Sequence, residues 1–118
     1  MQRSIRGATT IDFDSRDNVM NATKDLLSKI VFLNDILLED VVNIVFTATK
    51  DIRSEFPPVA AREMGFLDIP LLTCQEMDCE NGLKLCIRIM LTYNTTKSQK
   101  DIKHVYLNNA KKLRPDLS

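Results

Sequence analysis

Asn81-Gly82-Leu83-Lys84-Leu85-Cys86-Ile87-Arg88-Ile89-Met90-Leu91-Thr92-Tyr93 is the stretch that decides the fold. From residue 83 on, Leu83, Leu85, Ile87, Ile89, Leu91 and Tyr93 alternate with Lys84, Cys86, Arg88, Met90 and Thr92. A period of two predicts a β-strand, because successive side chains point to opposite faces. The Asn-Gly pair ahead of it is a hairpin-turn signal. Upstream, VVNIVFTAT at 41–49 is β-branched and nearly continuously apolar. That composition predicts a central strand buried on both faces.

The remaining elements follow from periodicity and punctuation. SIRGATT at 4–10 reads as a short opening strand. Asp12, Asp14, Ser15 and Asp17 gather acidic and capping groups before Val19, Ala22, Leu26, Leu27, Ile30, Val31 and Leu33. Those apolar residues recur mostly at three and four, so a helix is expected over about 16–34, capped by Ser15 or Asp14. Pro57-Pro58 and Gly65 bracket a short helix. Residues 69–73 form a brief strand, placed at an edge or a strand start by Pro70. His104 to Leu107 gives a last short strand, and Pro115 predicts an extended tail. The order β-α-β-α-β-β-β predicts an α+β or mixed α/β layer: one small mixed sheet under one long and one short helix. A lone long helix covers one sheet face. The other, expected to be apolar, predicts a homo-oligomer.

The chain has 118 residues, 44% of them hydrophobic and 27% charged, as in a globular protein with a single domain over 1–118. Lys+Arg and Asp+Glu are both 16, so no basic excess supports a nucleic-acid partner. No apolar run reaches the ~18 residues of a membrane span, and Met1-Gln2-Arg3-Ser4 lacks a signal peptide's apolar stretch. A soluble, cytoplasmic protein with no membrane partner is expected. Cys74, Cys79 and Cys86 lack the paired spacing of a zinc site, so no metal is expected and the thiols are read as reduced and mostly buried. No Gly-rich nucleotide loop, P-loop, zinc-protease or serine-hydrolase string occurs.

Arg6 and Arg88 interrupt apolar strands, Glu76 follows a strand end, and Arg114 lies in an apolar tail. Charges in such places are costly unless paired or liganded. Arg88 reads either as one partner of an ion pair with Glu76 or as part of an anion site, since its planar fork fits carboxylates. Tyr106 and His104 share a face under strand alternation.

Six strings in order carry a resemblance that runs nearly end to end: Ile5-Arg6-Gly7-Ala8-Thr9-Thr10; Phe56-Pro57 followed by Arg62-Glu63; Gln75-Glu76-Met77; Cys86-Ile87-Arg88; His104-Val105-Tyr106-Leu107; and Leu113-Arg114-Pro115-Asp116-Leu117. Together they resemble the AroH class of monofunctional chorismate mutases. The resemblance implies a homotrimer whose sheets pack into a pseudo-α/β barrel, with active sites between subunits. It implies the cofactor-free [3,3]-sigmatropic rearrangement of chorismate to prephenate, on the route to phenylalanine and tyrosine. Arg88 is then expected to donate to the ether oxygen, and Glu76 to accept from the ring hydroxyl. Arg6 and Tyr106 are expected to bind a carboxylate, and Phe56 to pack on the ring from the neighbouring subunit. Arg62, Leu113 and Arg114 should line or close the mouth, with a tail at about 109–118 as a mobile lid.

Two departures from the family pattern stand out. The family's active-site cysteine falls at Thr73 without gaps, so Thr73 is expected to serve the site and Cys74 to point away. Val59 stands where the family often has a lysine. The rival readings are a Rid-type enamine/imine deaminase and a non-catalytic module that binds an aromatic metabolite.

Overall fold

A computed structural model describes residues 1–117; Ser118, the end of the expected tail, lies outside the described residues. The elements are β1 (Gln2–Thr10), α1 (Arg16–Leu33), β2 (Val41–Ala48), α2 (Pro58–Glu63), β3 (Leu71–Gln75), β4 (Cys86–Asn94) and β5 (Val105–Tyr106), in the expected order. Short 3-10 turns follow at Leu38–Asp40, Gln99–Asp101, Asn108–Leu113 and Pro115–Leu117. No helix among the described residues is long and apolar enough to cross a membrane.

Helix α1 begins where Ser15, in extended backbone, accepts from the Asn18 N–H at 3.1 Å. Val19, Met20, Thr23, Leu26, Leu27 and Ile30 form its buried stripe. It stops at Asn34, whose buried side chain donates to the Ile30 and Lys103 carbonyls, each at 2.9 Å, and accepts from the Lys103 N–H at 2.8 Å. One amide thus closes the helix and fixes the chain entering β5.

The sheet order is β3-β2-β4-β1-β5. Strand β4 pairs antiparallel with both β1 and β2, while β2–β3 and β1–β5 are parallel. The sheet is therefore mixed, as expected. Ile5, Ile44, Phe46, Ile89 and Leu91 point to one face and are buried with Leu26, Leu27 and Ile30 of α1. A Cβ on Gly7 of β1 would lie 2.7 Å from Ile30 Cδ1 and 3.1 Å from Leu26 Cδ1, so glycine lets helix and strand approach this closely.

Several expectations need correction. Strand β2 is not buried on both faces: Val41, Ile44 and Phe46 are buried, whereas Val45 and Thr47 on the other face are only half-buried. That second face also carries Arg6, Leu72, Arg88, Met90 and Thr92, a mixed surface rather than an apolar one. Asn81-Gly82 does not close a hairpin, because β2 lies between β3 and β4. The turn sits inside a crossing loop, 76–85, and Leu83 and Leu85 precede the strand. The tail is not extended: Asn108–Leu113 and Pro115–Leu117 are 3-10 turns, and Arg114 between them, at φ −141° and ψ 74°, is kept out of the helical region by the proline that follows. The first turn is anchored on β1, where Asn108 donates to Thr9 Oγ1 (3.1 Å) and the Asn109 N–H to Thr10 Oγ1 (3.2 Å). The thiols are mostly exposed, not buried. Cys74 lies on an edge strand and Cys79 in the crossing loop, and only Cys86 is buried; all are free.

Candidate active site

The register of the sheet collects the charged residues. Cys74, Thr47, Arg88, Ala8 and Tyr106 are successive partners across the five strands, so they lie on the face that the helices leave open. The neighbouring row places Arg6 beside Met90. Arg6 and Arg88 therefore escape the desolvation that their apolar neighbours suggested, because strand alternation turns them outward.

Glu76 leaves the end of β3 with its N–H bound to the Ala48 carbonyl at 2.9 Å. Its carboxylate accepts from Thr47 Oγ1 at 2.8 Å through Oε1 and from Arg88 Nε at 2.9 Å through Oε2. The carboxylate is 17% exposed and the guanidinium side chain 44%, so Glu76 is the half-buried anchor and Arg88 the presented group. The pair lines a cleft of about 780 Å³ with Lys50, Asp78, Leu83 and Lys84. Lys50 Nζ meets Asp78 Oδ2 at 2.8 Å, which links the turn after β2 to the crossing loop and raises the lysine pKa. Below Arg88, burial pushes the Cys86 thiol up to about 11, so it stays protonated at neutral pH and is no nucleophile.

Tyr106 packs with Ala8 and Ala110, and Leu83 of the loop and Leu113 of the tail close over this cluster. Leu113 and Tyr106 thus adjoin the Arg88 cleft through Leu83. Arg6 opens on a second cleft of about 420 Å³ with Met90 and His104. The Arg6 backbone N–H donates to His104 Nδ1 at 2.9 Å. Arg114 forms a bidentate pair with Asp116, at 3.2 Å from Nε and 2.9 Å from the terminal nitrogen, which holds the Asp116 carboxyl below the usual range.

The other expected site residues lie elsewhere. Phe56, 69% exposed, and Thr73 line a third cleft of about 470 Å³ at the β3 edge, and Arg62 is exposed at the end of α2. Val59 is half-buried on the same helix. Thr73 pairs with the core residue Phe46, so its side chain is on the helix-covered face. The expected orientation is reversed: Cys74 shares the open face with Arg88 and Thr73 turns toward the helices, while both line the Phe56 cleft. Four strand spacings of about 4.8 Å put β3 and β5 roughly 19 Å apart. The Phe56 and Tyr106 groups of one chain are therefore too distant to share one small ligand.

Thr47 went unread because it sits inside an apolar run; hydroxyls at Thr47 and Thr49, two apart at the strand's end, were the available signal. Among the described residues no three His, Cys, Asp or Glu gather as a metal site.

His104 gives a pH dependence. Its pKa lies below the ordinary 6.5, first because burial disfavours the imidazolium and then because Arg6 and Arg114 repel it. The unfolded chain takes up a proton that the folded chain resists, so this contribution is complete above about 6.5 and is lost as pH falls through the lowered value. Urea midpoints at pH 7 and 5.5 should fall more for the wild type than for His104→Asn, which keeps an acceptor near Nδ1. Equal falls would show that His104 does not contribute.

Comparison with known proteins bears directly on this arrangement. The family model described as chorismate mutase type I matches residues 2–117. The chain is 46% identical over 119 residues to a chorismate mutase AroH of Bacillus subtilis (strain 168), covering 100% of this chain and 94% of that one. It is 40% identical over 118 residues to a chorismate mutase AroH of Thermus thermophilus, covering 99% and 97%. Its fold resembles a solved chorismate mutase from Clostridium thermocellum with a TM-score of 0.91 and 43% identity, over 92% of this chain and 97% of that one. With full-length identity at this level and a matching mixed sheet, the chain belongs to the chorismate mutase type I family.

Proposed function

We propose that this protein converts chorismate to prephenate by a [3,3]-sigmatropic rearrangement, in the cytoplasm, as a step toward phenylalanine and tyrosine. The observation that carries the reading is the Thr47–Glu76–Arg88 chain: a partly buried carboxylate holds a guanidinium by Nε at the wall of an open cleft. The reaction is unimolecular and needs no nucleophile, proton transfer or cofactor. As the ether C–O bond breaks, negative charge grows on its oxygen and positive charge spreads over the ring. Arg88 donates to that oxygen without reorganising. Glu76 accepts from the ring hydroxyl and favours the allylic positive charge. Arg6 and Tyr106 bind a carboxylate and hold the reactive diaxial conformer.

The site is completed by a second copy in a homotrimer. Phe56 and Cys74 of one copy, with Arg62 at the rim, face Arg88 of the next. The open sheet face, with Leu72 at 59% and Met90 at 46% exposure, supports such an interface. The tail from about 109 onward closes the mouth with Leu113 and Arg114. Val59 leaves one cation fewer there, which weakens substrate binding.

Purified protein mixed with chorismate tests the reading. Loss of chorismate absorbance is expected, with prephenate confirmed by acid conversion to phenylpyruvate. Turnover of iminopropionate without prephenate would point to the deaminase, and chorismate binding without product to a sensor.

A further inference from the structure

Pairing between β2 and β4 ends at Ala48 and Ile87, one residue inside the start of β4 at Cys86. Beyond it the two segments stay joined by one backbone bond and then by side chains. The Thr49 N–H donates to the Cys86 carbonyl at 3.0 Å, and the Cys86 N–H returns to Thr49 Oγ1 at 3.0 Å. That hydroxyl donates to Asp51 Oδ1. The Asp51 carboxylate then receives the Leu85 N–H on both oxygens, at 3.1 and 3.0 Å. Leu85 has φ +50°, a left-handed conformation that a leucine adopts only when its surroundings enforce it. Its carbonyl is also held, by the Ile11 N–H at 3.0 Å.

We infer that Asp51 is a positioning residue for Arg88: by clamping the Leu85 N–H it holds the strained turn that aims the first residues of β4, and so the guanidinium, at Glu76. Asp51 lines the same cleft as both, and Leu85 stands three residues before Arg88. Without the clamp, Leu85 relaxes to negative φ and the start of β4 shifts against β2. The role rests on the proposed mutase reading, although the clamp itself has an independent readout.

The test is Asp51→Ala, Asp51→Asn and the double variant Asp51→Ala/Leu85→Gly, each assayed with chorismate over a full concentration range. Asp51→Ala should lower kcat about 10- to 100-fold with a smaller change in KM. Asp51→Asn keeps an acceptor and should lose less. Leu85→Gly, which accepts positive φ without strain, should restore much of the kcat lost in Asp51→Ala. A folded Asp51→Ala with kcat within twofold of wild type would overturn the assignment, as would absence of rescue by glycine. Should Asp51→Ala not fold, wild-type kcat in Asp51→Asn together with lost hydrogen-exchange protection at Leu85 would overturn it equally. If the wild type makes no prephenate, the mutase reading fails on its own. Protection of the Leu85 amide, lost in Asp51→Ala or Asp51→Asn, then still decides the clamp.

Discussion

Arg88→Ala is expected to lower kcat for prephenate formation by about 10²–10³, the loss of roughly 3–4 kcal/mol that a fixed donor to a developing oxyanion supplies. The prediction follows from the division of labour between the two charges. Glu76 is bound by Thr47 and by Nε of Arg88, so the guanidinium does not have to find its orientation when the ether bond begins to break. Removing it also leaves the Glu76 carboxylate facing a dianionic substrate, so KM should rise as well. Arg88→Lys should recover little, because an ammonium cannot engage Glu76 and the ether oxygen with one planar fork. The Arg88 side chain is 44% exposed but its partner Glu76 only 17%, so the carboxylate left unpaired should lower stability by about 1 kcal/mol. A kcat loss far larger than that in a protein that stays folded is therefore the signature. An Arg88→Ala enzyme with wild-type kcat would keep the reaction and remove Arg88 from it.

Phe46→Ala should be the most damaging single change to the fold. Phe46 is fully buried, on β2 between Thr73 of β3 and Ile89 of β4, under the helical layer. Truncating such a side chain costs about 3–5 kcal/mol, from lost transfer energy and from the cavity left behind. A small domain has only about 5–15 kcal/mol in all. Thermal or urea unfolding, compared at one protein concentration, should show a large drop. Ser28→Ala on the exposed side of α1 should stay within about 0.5 kcal/mol. A Phe46→Ala protein as stable as the wild type would mean that β2 does not carry the core.

Local signals in the sequence identified most of the elements. Strict alternation from Ile87 to Tyr93 and a cap at Ser15 ahead of a three-four repeat leave little choice, because period and capping chemistry act within a few residues. Non-local pairing was not legible. Asn81-Gly82 is the same dipeptide whether the next strand is its neighbour or lies one strand away, and only the β2 insertion decides it. The tail was misread for a related reason. Pro115 keeps Arg114 out of the helical region without extending it, and the side chain of Asn108 and the hydroxyls of Thr9 and Thr10 hold the preceding residues in a turn.

The candidate site shows the same boundary. Glu76 and Arg88 are twelve residues apart, and charges in apolar surroundings marked both. Their partners Thr47 and Asp51 were missed because a threonine in an apolar strand and an aspartate in a turn are ordinary in composition. Thr73 and Cys74 were exchanged for want of the register: a one-residue step on a strand reverses the face, and pairing of Thr73 with Phe46 fixes which way.

Mixing two defective proteins decides whether one working cleft takes Arg88 from one copy and the Phe56 edge from another. Arg88→Ala and the double variant Phe56→Ala/Arg62→Ala should each be nearly inactive alone as homo-oligomers. After dissociation and reassembly at equal amounts, about one quarter of the clefts in a cyclic oligomer pair an intact Arg88 side with an intact Phe56 side. Prephenate formation should therefore recover to about one quarter of the wild-type rate. A reassembled mixture no more active than the sum of its parts would contradict a shared cleft.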